Sequence, residues 1–124
     1  MNEPSTPTAS CNEVTLVGRV SALPERRELP SGDELVTLRV VVDRPPQRGV
    51  TRRLVDVIDV ACWTKRTQRS AGALGAEDEV RIEGALRRRF FVTAGAGRSS
   101  RYEVEASRIV RFTRTARTGQ GPQG

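Results

Sequence analysis

Residues 80–102, VRIEGALRRRFFVTAGAGRSSRY, constrain the fold more than any other stretch. Val80, Ile82 and Gly84 fall on one face of an extended chain and Arg81, Glu83 and Ala85 on the other, the period-two alternation of a strand with one buried side. Gly95-Ala96-Gly97 then breaks the pattern, and a second extended run follows through Arg101, Tyr102 and Val104. Two such runs joined by a Gly-containing loop predict a β-hairpin. Arg87, Arg88, Arg89, Arg98 and Arg101 lie on it, and residues 84–102 contain no acid. Phe90 and Phe91 sit among these arginines. Cations neutralise phosphates and flat rings stack on bases, so such an arm suits a flexible nucleic-acid strand. The competing reading is a solvated hairpin whose phenylalanines are core.

The rest of the chain supplies further short strands. Residues 1–11 carry Pro, Ser and Thr with little that is apolar, and are expected to form a disordered lead-in. Val14, Leu16, Gly18 and Val20 make one row of a first strand, and Gly18 implies a bend or bulge. Residues 22–33, ALPERRELPSGD, read as a turn-rich connection in which Glu25 and Glu28 balance Arg26 and Arg27. The second strand, 35–43, buries Val36, Leu38, Val40 and Val42 and turns Thr37, Arg39 and Val41 outward. Residues 44–53, RPPQRGVTRR, form a basic loop. In the third strand, 54–63, Trp63 shares a parity with Val57 and Asp59. Residues 64–74 lose the alternation and hold helix formers, with Thr64 as N-cap and Gly75 as the stop. A last strand covers 101–110, and residues 113–124 form a basic, Gly-rich tail expected to be disordered.

The order strand, strand, strand, helix, strand, strand is that of an all-β OB-fold, a five-stranded Greek-key barrel with one short helix between strands three and four. Periodicity alone also allows a small open sandwich. With 124 residues, 36% of them hydrophobic and 4% aromatic, the chain affords one domain over 12–112 with a small core.

Composition narrows the chemistry. The net charge is +6, and all of the 21 basic residues but Lys65 are arginine; such a surface fits a polyanion. There is no His, no nucleophile motif and no Gly-rich phosphate loop. Asp56 and Asp59 fall on opposite faces of a strand, so they cannot share a metal. An enzyme, a metal and a cofactor are therefore not expected. Cys11 and Cys62 make no redox or ligand motif, no segment reaches the ~20 apolar residues of a membrane span, and the N-terminus has no signal-peptide pattern, so a cytoplasmic, nucleoid-associated location is expected.

Several segments together resemble the bacterial single-stranded DNA-binding proteins. They are Asn12-x-Val14-x-Leu16-Val17-Gly18-Arg19-Val20, Pro24-Glu25-x-Arg27, Ser31-Gly32, the strand ending at Trp63, Val80-x-Ile82-Glu83-Gly84-x-Leu86-x-x-Arg89, and Arg101-Tyr102 followed by Glu105. The resemblance covers about residues 12–110. It implies an OB-fold subunit of a homotetramer, less often a dimer, that wraps single-stranded DNA with little sequence preference. By motif position it assigns base stacking to Trp63 and Phe91. Three departures stand out. Val57 replaces an aromatic platform, Asp59 would repel phosphate unless an arginine pairs with it, and the sequence ends Gly121-Pro122-Gln123-Gly124 rather than in an acidic tip. The expectation is an accessory paralogue, or a shortened chain, that does not recruit other proteins through such a tip.

The resulting expectation is nonspecific binding and protection of single-stranded DNA in replication, recombination or repair. Arg44, Arg48, Arg52 and Arg53 of the loop and Arg87, Arg89, Arg98 and Arg101 of the arm would hold phosphates while Trp63 and Phe91 stack. The alternatives are an RNA-binding OB domain and an OB-type protein-assembly module.

Overall fold

A computed structural model describes residues 9–112 apart from 94 and 96. The expected lead-in over 1–8 and the tail over 113–124 lie outside the described residues. The elements are β1 (Val14–Val20), β2 (Glu25–Glu28), β3 (Glu34–Asp43), β4 (Val55–Cys62), α1 (Lys65–Gly72), β5 (Glu79–Thr93) and β6 (Gly97–Arg111).

The sheet runs β1-β5-β6-β4-β3-β2, and the end of β1 also pairs with β3 through Arg19 with Val41 and Val20 with Val40. That last pairing closes β1, β5, β6, β4 and β3 into a five-stranded barrel, with α1 between β4 and β5, as the order of elements predicts. The inward rows are those that the alternation assigns. Val36, Leu38 and Val40 of β3, Val60 and Cys62 of β4, and Val80 and Ile82 of β5 are buried together. Ala71 of α1 and Leu74 just beyond it join the same core.

Two glycines make the closure possible. A Cβ on Gly18 would run into the Val41 carbonyl where β1 passes from β5 to β3. One on Gly84 would run into the Glu105 carbonyl. Gly84 also marks a register shift between β5 and β6, next to Glu83, and such a bulge bends the strand at the barrel rim. The bend expected at Gly18 is thus a close backbone approach, and the bulge sits on Gly84. Asn12 ties the start of the chain to β5. Its amide donates to the Leu86 carbonyl at 2.8 Å and accepts from the Leu86 N–H at 2.9 Å.

The 22–33 segment departs from its reading as a loop. Glu25–Glu28 is a strand, pairing Glu25 with Thr37 and Arg27 with Leu35. It is a hairpin edge closed by a turn in which the Gly32 N–H donates to the Leu29 carbonyl and Gly32 takes a φ of 93°. All four of its residues are exposed and charged, so it has no apolar row to read, and charge on an edge strand discourages pairing with other chains.

The helix starts where expected and stops early. The Thr64 hydroxyl accepts from the Thr67 N–H at 3.1 Å. The helix ends at Gly72 with Ala73 as its cap, so Gly75 is not the stop. Instead the Gly75 N–H donates to the buried Asp78 carboxylate at 2.7 Å. The buried Gln68 amide ties α1 to the barrel by donating to the carbonyls of Glu34 (2.9 Å) and Cys62 (3.1 Å). Cys62 is a buried free thiol whose pKa burial pushes up to about 11. No helix among the described residues is long and apolar enough to cross a membrane.

Candidate nucleic-acid interface

β5 and β6 outrun the barrel. β1 pairs with β5 only as far as Gly84, and β4 pairs with β6 at Val104 and Glu105. Beyond Leu86 and Val104 the two strands pair with each other alone, out to Thr93 with Gly97. This free ribbon is the arm. At its turn, Gly95 and Gly97 take positive φ angles of 76° and 77°, which glycine adopts without steric cost.

Alternation fixes which side chains meet. Arg87, Arg89 and Phe91 share one face of the arm with their cross-strand partners Glu103, Arg101 and Ser99. That face continues the outer surface of β4, where Asp59, Ala61 and Trp63 share a parity. The result is a groove of about 610 Å³ lined by Trp63, Phe91, Arg89 and Arg101 together with residues of β2, β3 and β4. Trp63 and Phe91 are both half-buried. The Arg89 guanidinium lies 4.8 Å from the centre of the Trp63 ring, and that of Arg101 5.4 Å from Phe91; a cation over a ring face is attracted to its negative quadrupole.

The arginines divide by partner. Arg89 reaches Glu103 at 2.8 Å and Arg87 reaches Glu105 at 2.8 Å. Both are diagonal cross-strand pairs. The 84–102 stretch holds no acid, but the register folds acids from just outside it back onto its arginines. Glu103 is buried, so Arg89 both neutralises it and steadies Trp63. Asp59 is met by Arg39 at 3.0 Å, so its charge is paired. Among the described residues, no carboxylate lies within ion-pair distance of Arg101.

The structure separates the remaining predicted residues from this groove. Arg98 pairs opposite Val92 on the other face of the arm. Arg44, Arg48, Arg52 and Arg53 are exposed at the far end of the β3–β4 hairpin. Val55 and Trp63 are eight residues apart along an extended chain, or roughly 26 Å. Arg44 is held by Asp56 at 2.7 Å, which raises its pKa above the ordinary guanidinium value. Arg48, Arg52 and Arg53 have no carboxylate within ion-pair distance among the described residues. No cluster that could hold a metal occurs among the described residues.

The sequence matches the single-strand binding protein family over residues 11–112. The chain belongs to that family. It is 28% identical over 110 residues to single-stranded DNA-binding protein 3 of Listeria innocua, covering 89% of this chain and 68% of that protein. It is 28% identical over 98 residues to single-stranded DNA-binding protein A of Bacillus subtilis, covering 79% and 57%. A Plasmodium falciparum SSB, solved as a complex with ssDNA, shares the fold with a TM-score of 0.72 at 19% identity, over 91% of this chain and all of that one. The chain spans between about half and two-thirds of the length of the curated relatives it matches.

Sequence reasoning missed part of this SSB-family groove. Leu23, Arg27 and Leu29 line it from the β2 hairpin, beside Thr37 and Arg39 of the row of β3 that the alternation already turned outward. The shared parity of Arg27 and Leu29 was the available signal, and the charge balance of Glu25 to Glu28 obscured it. Arg27, like Arg101, has no carboxylate within ion-pair distance among the described residues.

Proposed function

We propose that this chain holds single-stranded DNA, without sequence preference, in the groove between β4 and the β5–β6 arm. Bases stack on Trp63 and Phe91, and the backbone runs past Arg27 and Arg101 and along the outer face of β3 and β4 to Arg48, Arg52 and Arg53. The observation that carries this reading is the convergence of Trp63 and Phe91, 28 positions apart in sequence, on one groove with arginines beside both rings. Family membership supports the ligand class. Ring faces give sequence-tolerant affinity because every base has a π-face. In this reading Arg87 and Arg89 play a supporting role, their charge partly neutralised by Glu105 and Glu103, with Arg89 positioning Trp63. The working form is a homotetramer, with a dimer as the second assembly, coating nucleoid DNA exposed in replication, recombination or repair. Sedimentation velocity of the free protein tests that assembly.

Binding is tested by titrating oligothymidylate into wild type and Trp63→Ala over a range of salt. Losing one stacking platform worth about 1 to 3 kcal/mol weakens binding roughly 5- to 150-fold. Five phosphate contacts, by Arg27, Arg48, Arg52, Arg53 and Arg101, give a log K versus log salt slope of about −3.5. Equal affinity of wild type and variant would remove the groove from the interface, and equal affinity for RNA would favour the RNA-binding alternative.

A further inference from the structure

We propose that the back of the β5–β6 arm is a second track for single-stranded DNA, so that one strand bends around the arm and touches both its faces. The inference rests on the groove reading, because the same strand continues from one face to the other. Beyond Leu86 and Val104 the arm pairs with no other strand, and its face away from the groove is exposed to solvent at Phe90, Val92 and Tyr102. The face opposite the groove carries Arg88, Phe90 and Val92 with their partners Tyr102, Ser100 and Arg98. Phe90 is 52% exposed and Tyr102 58%. The Arg88 guanidinium stacks on both rings, 4.8 Å from the centre of Phe90 and 5.5 Å from that of Tyr102, and Arg98 lies 5.2 Å from Phe90.

Charge decides between the possible occupants. On the groove face, Arg87 and Arg89 each meet a glutamate. On the back, no carboxylate among the described residues lies within ion-pair distance of Arg88 or Arg98, and Arg88 donates hydrogen bonds to the neutral Ser100 hydroxyl, at 3.3 to 3.4 Å. A second copy of this patch would bring arginines against arginines, and an apolar partner would strip their water without replacing it. A strand of nucleic acid supplies phosphates for both cations and bases for both rings.

The test uses Phe90→Ala/Tyr102→Ala and Arg88→Gln/Arg98→Gln, with Trp63→Ala as the groove control. Each is titrated with an oligothymidylate of about eight nucleotides, within the ~4 to 16 that one OB fold covers, and with one of about forty. Both back-face variants are expected to bind the short ligand as wild type does. On the long ligand the ring variant should lose about tenfold or more, and the arginine variant should flatten the salt slope by about 1.4. The free proteins should keep the wild-type mass in sedimentation velocity. Wild-type affinity for the long ligand overturns the proposal. So does an equal loss on both ligands, which would merge the back face with the groove, or a changed mass without DNA, which would make it a protein interface. A Trp63→Ala variant that binds the short ligand normally would instead overturn the groove reading.

Discussion

The barrel and the arm are built from different side chains. The buried core of the barrel is Val, Leu, Ile, Ala and one Cys, with no aromatic residue. All five aromatics of the chain lie outside it. Phe90, Phe91 and Tyr102 are on the arm, Trp63 faces the arm across the groove, and Phe112 follows β6. Aromatic rings bury more area than any aliphatic side chain and are a natural choice for a core. Here the core holds together without them, and the rings stand beside arginines on a ribbon that the barrel does not cover. On the proposed function the barrel is the scaffold and the arm the surface that holds DNA, so substitutions in the two should separate stability from DNA affinity.

The largest effect belongs to the scaffold. Ile82 is fully buried, and Ile82→Ala should cost about 3 kcal/mol in urea denaturation. Phe91→Ala should do the reverse. It should leave the urea midpoint nearly unchanged and weaken oligothymidylate binding roughly 5- to 150-fold. If Phe91→Ala unfolds the protein as readily as Ile82→Ala, the division between scaffold and surface collapses. Asp59 offers a smaller and opposite test. It sets a negative charge in the groove beside Arg39, so Asp59→Asn should tighten binding a few-fold at low salt, and the gain should shrink as salt screens the charge.

The smallest effect concerns the two cysteines. The exposed Cys11 should react readily with a thiol reagent at mild alkaline pH while the buried Cys62 stays protected. Because burial raises the Cys62 thiol from 9.0 to about 11, folding favours the neutral thiol. That contribution to stability is complete below pH 9 and lost as the pH rises through about 11. Cys62→Ser should flatten the decline over that window.

What the sequence revealed follows the same division. The barrel was legible because apolar residues recur at every second position through Val36, Leu38, Val40 and Val42 of β3, Ile58, Val60 and Cys62 of β4, and Val80 and Ile82 of β5. Thr64 announced the helix, although the helix stops at Gly72 rather than at Gly75. β2 was not legible, because an exposed edge strand of four charged residues has no buried row. The groove was half legible. Trp63 and Phe91 were found through motif position, but Arg27 and Leu23 depend on the unread hairpin. The partners of the arginines were invisible in a linear count. Glu103 and Glu105 lie beyond the acid-free stretch and come opposite it only through the register after Gly84. The same register carries Arg98 to the back of the arm, away from the groove residues with which composition had grouped it.

Trp63 is the single tryptophan of the chain, and its fluorescence tests the central claim most directly. Oligothymidylate added at low salt should quench that emission strongly, and the titration should shift to weaker binding as salt is raised. Binding detected by another signal, with the Trp63 emission unchanged, would contradict the claim that bases stack in the groove between β4 and the arm.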